Sequence, residues 1–538
     1  MSLQEWIAAA FTYLALVFLA ASGVGTAVIV LYRLFLHPLA SVPGPRWAAI
    51  SSFWYAMQVR DGRMLVLGKT LHKKYGPVVR VAPNEVWFDS PEAFRVIYRA
   101  GSGYQKSDFY LATILQRPTM DWCLRIHFPD TLDFLSERNI DRYRLQRRLV
   151  GPLYRMDSVQ KYEDAVDGVL ERVVARIHSL DGAEVDLKEW MHIIAVECLG
   201  AIVLSWSPGY LRDKTDWGTS SHGYLSWRRK SVFGLFPVIV KAELISKKAS
   251  HAFARMMGLT YRSRKDLKPF FPGVYRHSSR RIANALNSKP TKSSKPPKAA
   301  PKDAREDLLA DLIKLHKEKL EFNETYLRRM AVTNFGAGHE TMCSALTSIM
   351  AMIGSRPSVQ RRVADEIRSA VDPARFDNAI FLRYTQAVIK EAQRLHSVLG
   401  MSLSRTVPPE GLRVHGYFFP AGTTVGCNPV ALHRNPEIVG ADADVFDPDR
   451  WLGDPELRRR MERYNLTWGG GGRTCPGRHL AYLVLYKVVP TLLREFELEV
   501  TLPPEEEVRY YFMAMLTGVK ARFRPRGDAA SQQKQTSR

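Results

Sequence analysis

Cysteine is scarce and unpatterned in this chain. The five residues, Cys123, Cys198, Cys343, Cys427 and Cys475, are odd in number and widely scattered, with no CxxC pair. That excludes a disulfide framework and a zinc site built on paired cysteines, and reads as reduced thiols in a cytosolic setting. Acidic residues are also short: 54 Asp and Glu face 77 Lys and Arg, a formal net charge of +23. Such a surplus fits nucleic acid, an anionic membrane surface or an acidic protein partner. No nucleic-acid motif accompanies it, so nucleic acid is not an expected partner. Part of the excess lies in "SKPTKSSKPPKAAPKDAR", Ser288 to Arg305. Its Lys, Pro and Ser cannot form a packed element, and 288–305 is expected to be a flexible solvated loop. No internal repeat is visible, and a hydrophobic content of 46% excludes wholesale disorder.

Charge is missing altogether from Trp6 to Tyr32, a run of 27 residues. About 20 apolar residues cross a hydrocarbon core of roughly 30 Å, so this run is long enough to span. A cleaved signal peptide is the alternative. Against it stand Glu5, the absence of a basic residue before the run, and a length about twice that of a signal-peptide apolar region. Arg33, Arg46, Arg60 and Arg63 follow the run, which leaves the bulk of the chain on the cytosolic side of a single span. On that topology the sequons at Asn323 and Asn465 never meet the glycosylation machinery. "VPGPRW", Val42 to Trp47, then reads as a stiff extended hinge. The expected organisation is an anchor and hinge start over 1–40, one catalytic domain over 41–526 and a disordered tail over 527–538.

The rest is mainly helical, with small β-sheets. "VVRVAPNEVWFDS" (Val78 to Ser90) alternates around a Pro-Asn turn, and "LRVHGYFFPAGTTVGCNP" (Leu412 to Pro429) contains two turn signals, so each predicts a hairpin. Helical periodicity covers Ile140 to Arg176, Thr325 to Gly354, Val359 to Val371, Leu382 to His396 and Gly477 to Phe496.

Three stretches break local rules. In "RYTQAVIKEAQRLH", Glu391 falls on the apolar face with Tyr384, Val388, Ala392 and Leu395, where a carboxylate needs a partner. Arg394 at i+3 is placed to supply one and Arg450 of "FDPDRW" is a second candidate, although an ExxR alone fits an exposed salt bridge equally well. Gly336 and Gly338 interrupt the long apolar helix beside Glu340 and Thr341. Each glycine weakens a helix interior by about 1 kcal/mol relative to alanine. Either something approaches the backbone here, or this is a kinked core helix whose Thr341 bonds back to the carbonyl four residues earlier. Finally, Gly469 to Gly472 lead into Arg473 and Cys475 at the start of an apolar helix. The glycines leave room for a planar ligand, and free N–H groups favour a thiolate; a buried inert thiol is the alternative.

"WGGGGRTCPG" resembles the haem-binding signature FxxGxRxCxG of the cytochrome P450 family, with Trp468 in place of the usual Phe. "AGHET" (Ala337 to Thr341), "EAQR" (Glu391 to Arg394) and "FDPDRW" are similar to that family's oxygen-binding motif, ExxR and PERF-like motif, in the expected order. The likeness runs over essentially the whole chain. Cysteine-thiolate ligation of haem is a property of that family and enters here by resemblance.

The resemblance implies a cytochrome P450 fold with haem b held by Cys475 and packed near Ala337, Trp468 and Gly477. It implies propionate contacts from Arg147, Arg405 and Arg473; Tyr143 stands where the family's WxxxR has tryptophan. It gives Glu340 and Thr341 a proton-relay role and makes Glu391, Arg394 and Arg450 structural. The implied activity is a monooxygenase that uses O2 and electrons from an NADPH-dependent reductase on a lipophilic small molecule, at the endoplasmic reticulum membrane. Substrate contacts are expected from Phe109 to Cys123 and Met513 to Leu516. A rearranging enzyme without a reductase and a non-catalytic haem-binding membrane protein remain alternatives.

Overall fold

Leu3–Leu31 forms one unbroken helix, α1, whose described side chains are exposed almost throughout. The window Thr12–Leu36 has a mean hydropathy of 2.5 and none of it is buried against the rest of the chain, which suits a membrane anchor. A π-helical turn, Tyr32–Leu36, continues α1 and ends where Pro38 forces His37 into an extended conformation. The structure, a computed structural model, describes residues 3–114, 116, 118–123, 125–287 and 306–527. The expected loop 288–305 and the expected tail, apart from Gly527, lie outside the described residues.

The hinge is fastened to the body. Arg80, buried in strand β1 (Val78–Ala82), donates to the carbonyls of Arg33 and Leu39, and its backbone N–H donates to Pro43. β1 pairs antiparallel with β2 (Glu85–Phe88), as the alternation predicts. With β3 (Gln105–Lys106), β4 (Arg405–Thr406) and β5 (Thr424–Cys427) these form a sheet in the order β1-β2-β5-β4-β3. The second expected hairpin is shorter than its sequence span. Leu412–Val414 pairs with Tyr417–Phe419 across His415 and Gly416, both at positive φ, and β5 then leaves to join β2 in parallel.

Helices make up most of the rest. The pattern read as one helix over 140–176 is broken: α2 (Ile140–Val150) gives way to a 3-10 turn at Gly151–Tyr154, because Pro152 has no N–H to continue the ladder. Helices Met156–Gln160 and Glu163–His178 follow. Further along come α3 (Leu187–Leu204), α4 (Thr219–Gly234), α5 (Pro237–Ile245), α6 (Glu324–Gly354), α7 (Arg383–Leu395) and α8 (Arg478–Glu495). α6 is the central helix, capped by the Asn323 side chain and buried over most of its length. It packs so closely on α3 that a Cβ at Gly338 would lie 3.0 Å from a methyl of Leu199. This glycine is a close-packing position.

Candidate active site

The middle of α6 has an open flank. Ala337 is exposed and Gly336 and Thr341 are partly accessible, although the helix around them is core. A Cβ at Gly336 would meet nothing within 4 Å. The helix runs unbroken through both glycines, and Thr341 Oγ1 donates to Ala337 O at 2.7 Å. The open backbone and the back-bonded hydroxyl thus coexist.

Cys475 is embedded in the protein yet partly accessible. Its N–H donates to Trp468 O at 2.7 Å, which closes the glycine loop, and Trp468 packs edge-on against Tyr482 of α8. The glycines have different jobs from the one expected. Gly469 and Gly471 have φ of 78° and 58°, and a Cβ at Gly471 would overlap Tyr98 O. Gly470 packs on the Tyr98 side chain, so only Gly472, and Gly477 beyond the cysteine, border open space. α8 begins at Arg478, three residues after the cysteine. Burial pushes the Cys475 thiol up, with the Gly477 N–H, Arg147 and Arg478 pulling the other way.

Cations gather nearby, with the Glu137 carboxylate in their field. Arg405 is buried and donates to the carbonyls of Leu403 and Ser404. Arg473 donates to Glu137 O at 2.8 Å and lies 3.8 Å from the centre of the Tyr143 ring. Arg147 lies 6.0 Å from the Phe134 ring. Among the described residues no carboxylate forms an ion pair with any of the three. Burial and Arg405 lower Arg473 to about 10. Lys106 is a fourth member that the sequence did not reveal. It pairs with Arg405 across β3 and β4, donates to Phe134 O and Leu135 O, and is pushed well below its ordinary value by burial, Arg405 and Arg473.

Glu391 is fully buried, as its helical face predicts. Arg394 grips it with two hydrogen bonds of 2.8 Å, and Arg450 Nε adds a third at 3.0 Å. Trp451 Nε1 and the Asp447 N–H, partners not foreseen, each donate at 2.9 Å. Arg394 also donates to His433 O, and His433 Nε2 accepts from the Leu466 N–H. The knot thereby reaches the segment two residues before Trp468.

Glu340 is turned toward α4. Trp227 Nε1 donates to its carboxylate, and the chain at Gly223 is so close that a Cβ there would overlap Oε1. Burial raises its pKa, against Trp227, Lys230 and His192. Its neighbour His339 belongs to a buried chain that sequence reading missed: His192 Nε2 lies 3.0 Å from His339 Nδ1, and His192 Nδ1 lies 2.9 Å from Asp216 Oδ2. Only the coincidence of polar residues in the apolar helices α3 and α6 signals it in the sequence. Of the expected substrate contacts, Leu111, Ala112, Ile114 and Pro118 line a cavity of about 380 Å³, while Met513 to Leu516 are packed in the core, with Ser344 donating to Ala514 O.

The family model described as Cytochrome P450 matches residues 42–517. The chain is 60% identical over 530 residues, 95% of both sequences, to "Cytochrome P450 monooxygenase sdnT" of Sordaria araneosa. It is 30% identical to a "Pisatin demethylase" of Fusarium vanettenii, with 87% of each covered. It is also 28% identical to "Cytochrome P450 monooxygenase gsfF" of Penicillium aethiopicum, over 92% of this chain and 95% of that protein. The open flank of the central helix, the accessible cysteine and these matches lead to one assignment: the chain belongs to the cytochrome P450 family, as a monooxygenase.

Proposed function

We propose that this chain binds haem b through Cys475 and inserts one atom of O2 into a lipophilic small molecule, with electrons from an NADPH-dependent reductase. Family membership implies a haem cofactor, a redox partner, O2 and a small-molecule substrate. The residues present fit the cofactor. The observation that carries the reading is the meeting around Tyr143 of an accessible sulfur with three guanidiniums, none of them in an ion pair among the described residues. Arg147, Arg405 and Arg473 are the right complement for the two propionates of a porphyrin, since buried cations without anions are costly.

Bound haem supplies the redox-active iron at which O2 is activated. The chain's own groups do the rest. The sulfur of Cys475 is the protein ligand, held by the Cys475 N–H to Trp468 O bond and by the Gly477 N–H. Gly336 and Ala337 leave the groove beside α6 open, next to the Thr341 hydroxyl. Thr341 Oγ1 already donates to Ala337 O, so its lone pairs are left to accept and orient a proton donor. Glu340, its pKa raised by burial, sits at the back of the helix with Trp227 Nε1 as its donor.

The 1–40 segment anchors the 41–526 catalytic body on the cytosolic face of the endoplasmic reticulum membrane, and the basic surplus suits an acidic reductase surface. The resemblance of the chain to fungal enzymes makes a secondary metabolite the expected substrate. The test is stoichiometry with a reductase-supplemented preparation: NADPH and O2 consumed one-to-one with hydroxylated product supports oxygen insertion. Product formed without either supports the rearranging alternative instead.

A further inference from the structure

The 380 Å³ cavity has an uneven charge, and one of its cations, Lys230, also lies in the field of Glu340. Leu111, Ile114, Phe233, Val240 and Leu244 line it with apolar surface, and Ser226, Arg229, Lys230 and Tyr261, three of them from α4, add polar and cationic groups. Lys241 adds a third cation at the rim, where it lies 3.7 Å from Asp108. Glu243 is the one acidic side chain among the described lining residues. Arg229 rests 4.9 Å from the Phe233 ring and Lys230 4.7 Å from the Trp227 ring. Neither forms an ion pair with a carboxylate among the described residues. A volume of this size suits a small organic ligand, and cations lining a half-enclosed apolar wall reward an acid group far more than cations in open water do.

We propose that this cavity selects a lipophilic anion, with the hydrocarbon body against Leu111, Phe233 and Val240 and the acid group at Arg229 and Lys230. The substrate class is then a carboxylate, or another acid of like charge, attached to an apolar skeleton. This deepens the monooxygenase reading and rests on it for calling the ligand a substrate; the binding itself does not.

The probes are 1-anilinonaphthalene-8-sulfonate and the same molecule without its sulfonate, 1-anilinonaphthalene. Their binding to the full chain in phosphatidylcholine nanodiscs is followed by fluorescence. Wild type is compared with Arg229→Gln, Lys230→Gln and the double variant; the single changes serve if the double one misfolds. The expected result is that the double variant weakens the sulfonate by about tenfold or more, the size of a lost charged hydrogen bond, and the neutral probe by less than about twofold. Raising the salt should weaken the sulfonate alone. Equal losses for both probes, no loss for either, or a sulfonate that never saturates would overturn the proposal. The carbon-monoxide spectrum of the same preparations separates the two readings. A charge-dependent site on a chain without a thiolate-haem signature defeats the function and spares the cavity; the reverse defeats only the cavity.

Discussion

Glu391 is the residue on which most buried structure turns. Its carboxylate takes five hydrogen bonds, from Arg394 (two), Arg450, Trp451 and Asp447. Removing its charge strands two buried guanidiniums. Glu391→Gln should therefore cost about 3–5 kcal/mol of stability. Denaturant titration measures this, and a loss below about 1 kcal/mol would show that the knot is replaceable. At this scale the sequence was informative wherever a residue type broke a local pattern. Glu391 in an apolar stripe and Cys475 after four glycines both did. Lys106 and Trp227 did not, and His192 gave only a polar residue in an apolar helix, because their roles come from partners 28 to 147 positions away: Phe134 and Leu135, Glu340, His339. The glycine loop was legible as special and misread in detail, since the demand on Gly470 and Gly471 comes from Tyr98, a residue no local pattern connects to them.

α7 and its surroundings carry a pH dependence. His396 at its C-terminal end and His433, beneath Arg394, are both held down to about 3, chiefly by burial and then by neighbouring arginines. The unfolded chain takes up a proton on each as pH falls through about 6.5, whereas the folded chain does so only near 3. Their contribution is present in full above about 6.5 and is lost progressively down to about 3. Urea midpoints measured at pH 7.5, 6 and 5 should fall in that order, and His433→Gln should flatten the slope. A wild-type slope no steeper than that of His433→Gln contradicts these positions, since Glu85, raised to about 7 by burial, opposes them over the same range. Helices with strong periodicity, α6, α7 and α8, were legible to within one or two residues. The 140–176 pattern was not, because the apolar spacing resumes on either side of Gly151 and Pro152 and conceals the break.

For the whole molecule, α1 stands apart from a body that is otherwise well packed, and the Arg80 contacts to Arg33 and Leu39 fasten its base to the sheet. Deleting residues 1–40 should move most of the protein from the membrane pellet to the supernatant, a change of about tenfold or more in the soluble fraction. Retention in the pellet would mean that another surface holds the membrane. Asn323 and Asn465 should stay unmodified; both side chains are already used, as acceptors from the Tyr326 and Thr467 N–H groups. A mass shift on endoglycosidase treatment would reverse the topology. The overall architecture was readable because one apolar run, two hairpin signals and a series of amphipathic helices are each local. The convergence of Cys475, Arg147, Arg405 and Arg473 was legible only through the family resemblance, since no local pattern connects the cysteine to Arg147, 328 positions before it, or to Arg405, 70 positions before it.

The most direct measurement is the visible spectrum of the purified, reduced chain under carbon monoxide, compared with that of Cys475→Ala. A red-shifted Soret band typical of thiolate-ligated haem in the first, absent from the second, is the predicted result. A purified chain that takes up no haem, or two spectra that coincide, would contradict the account.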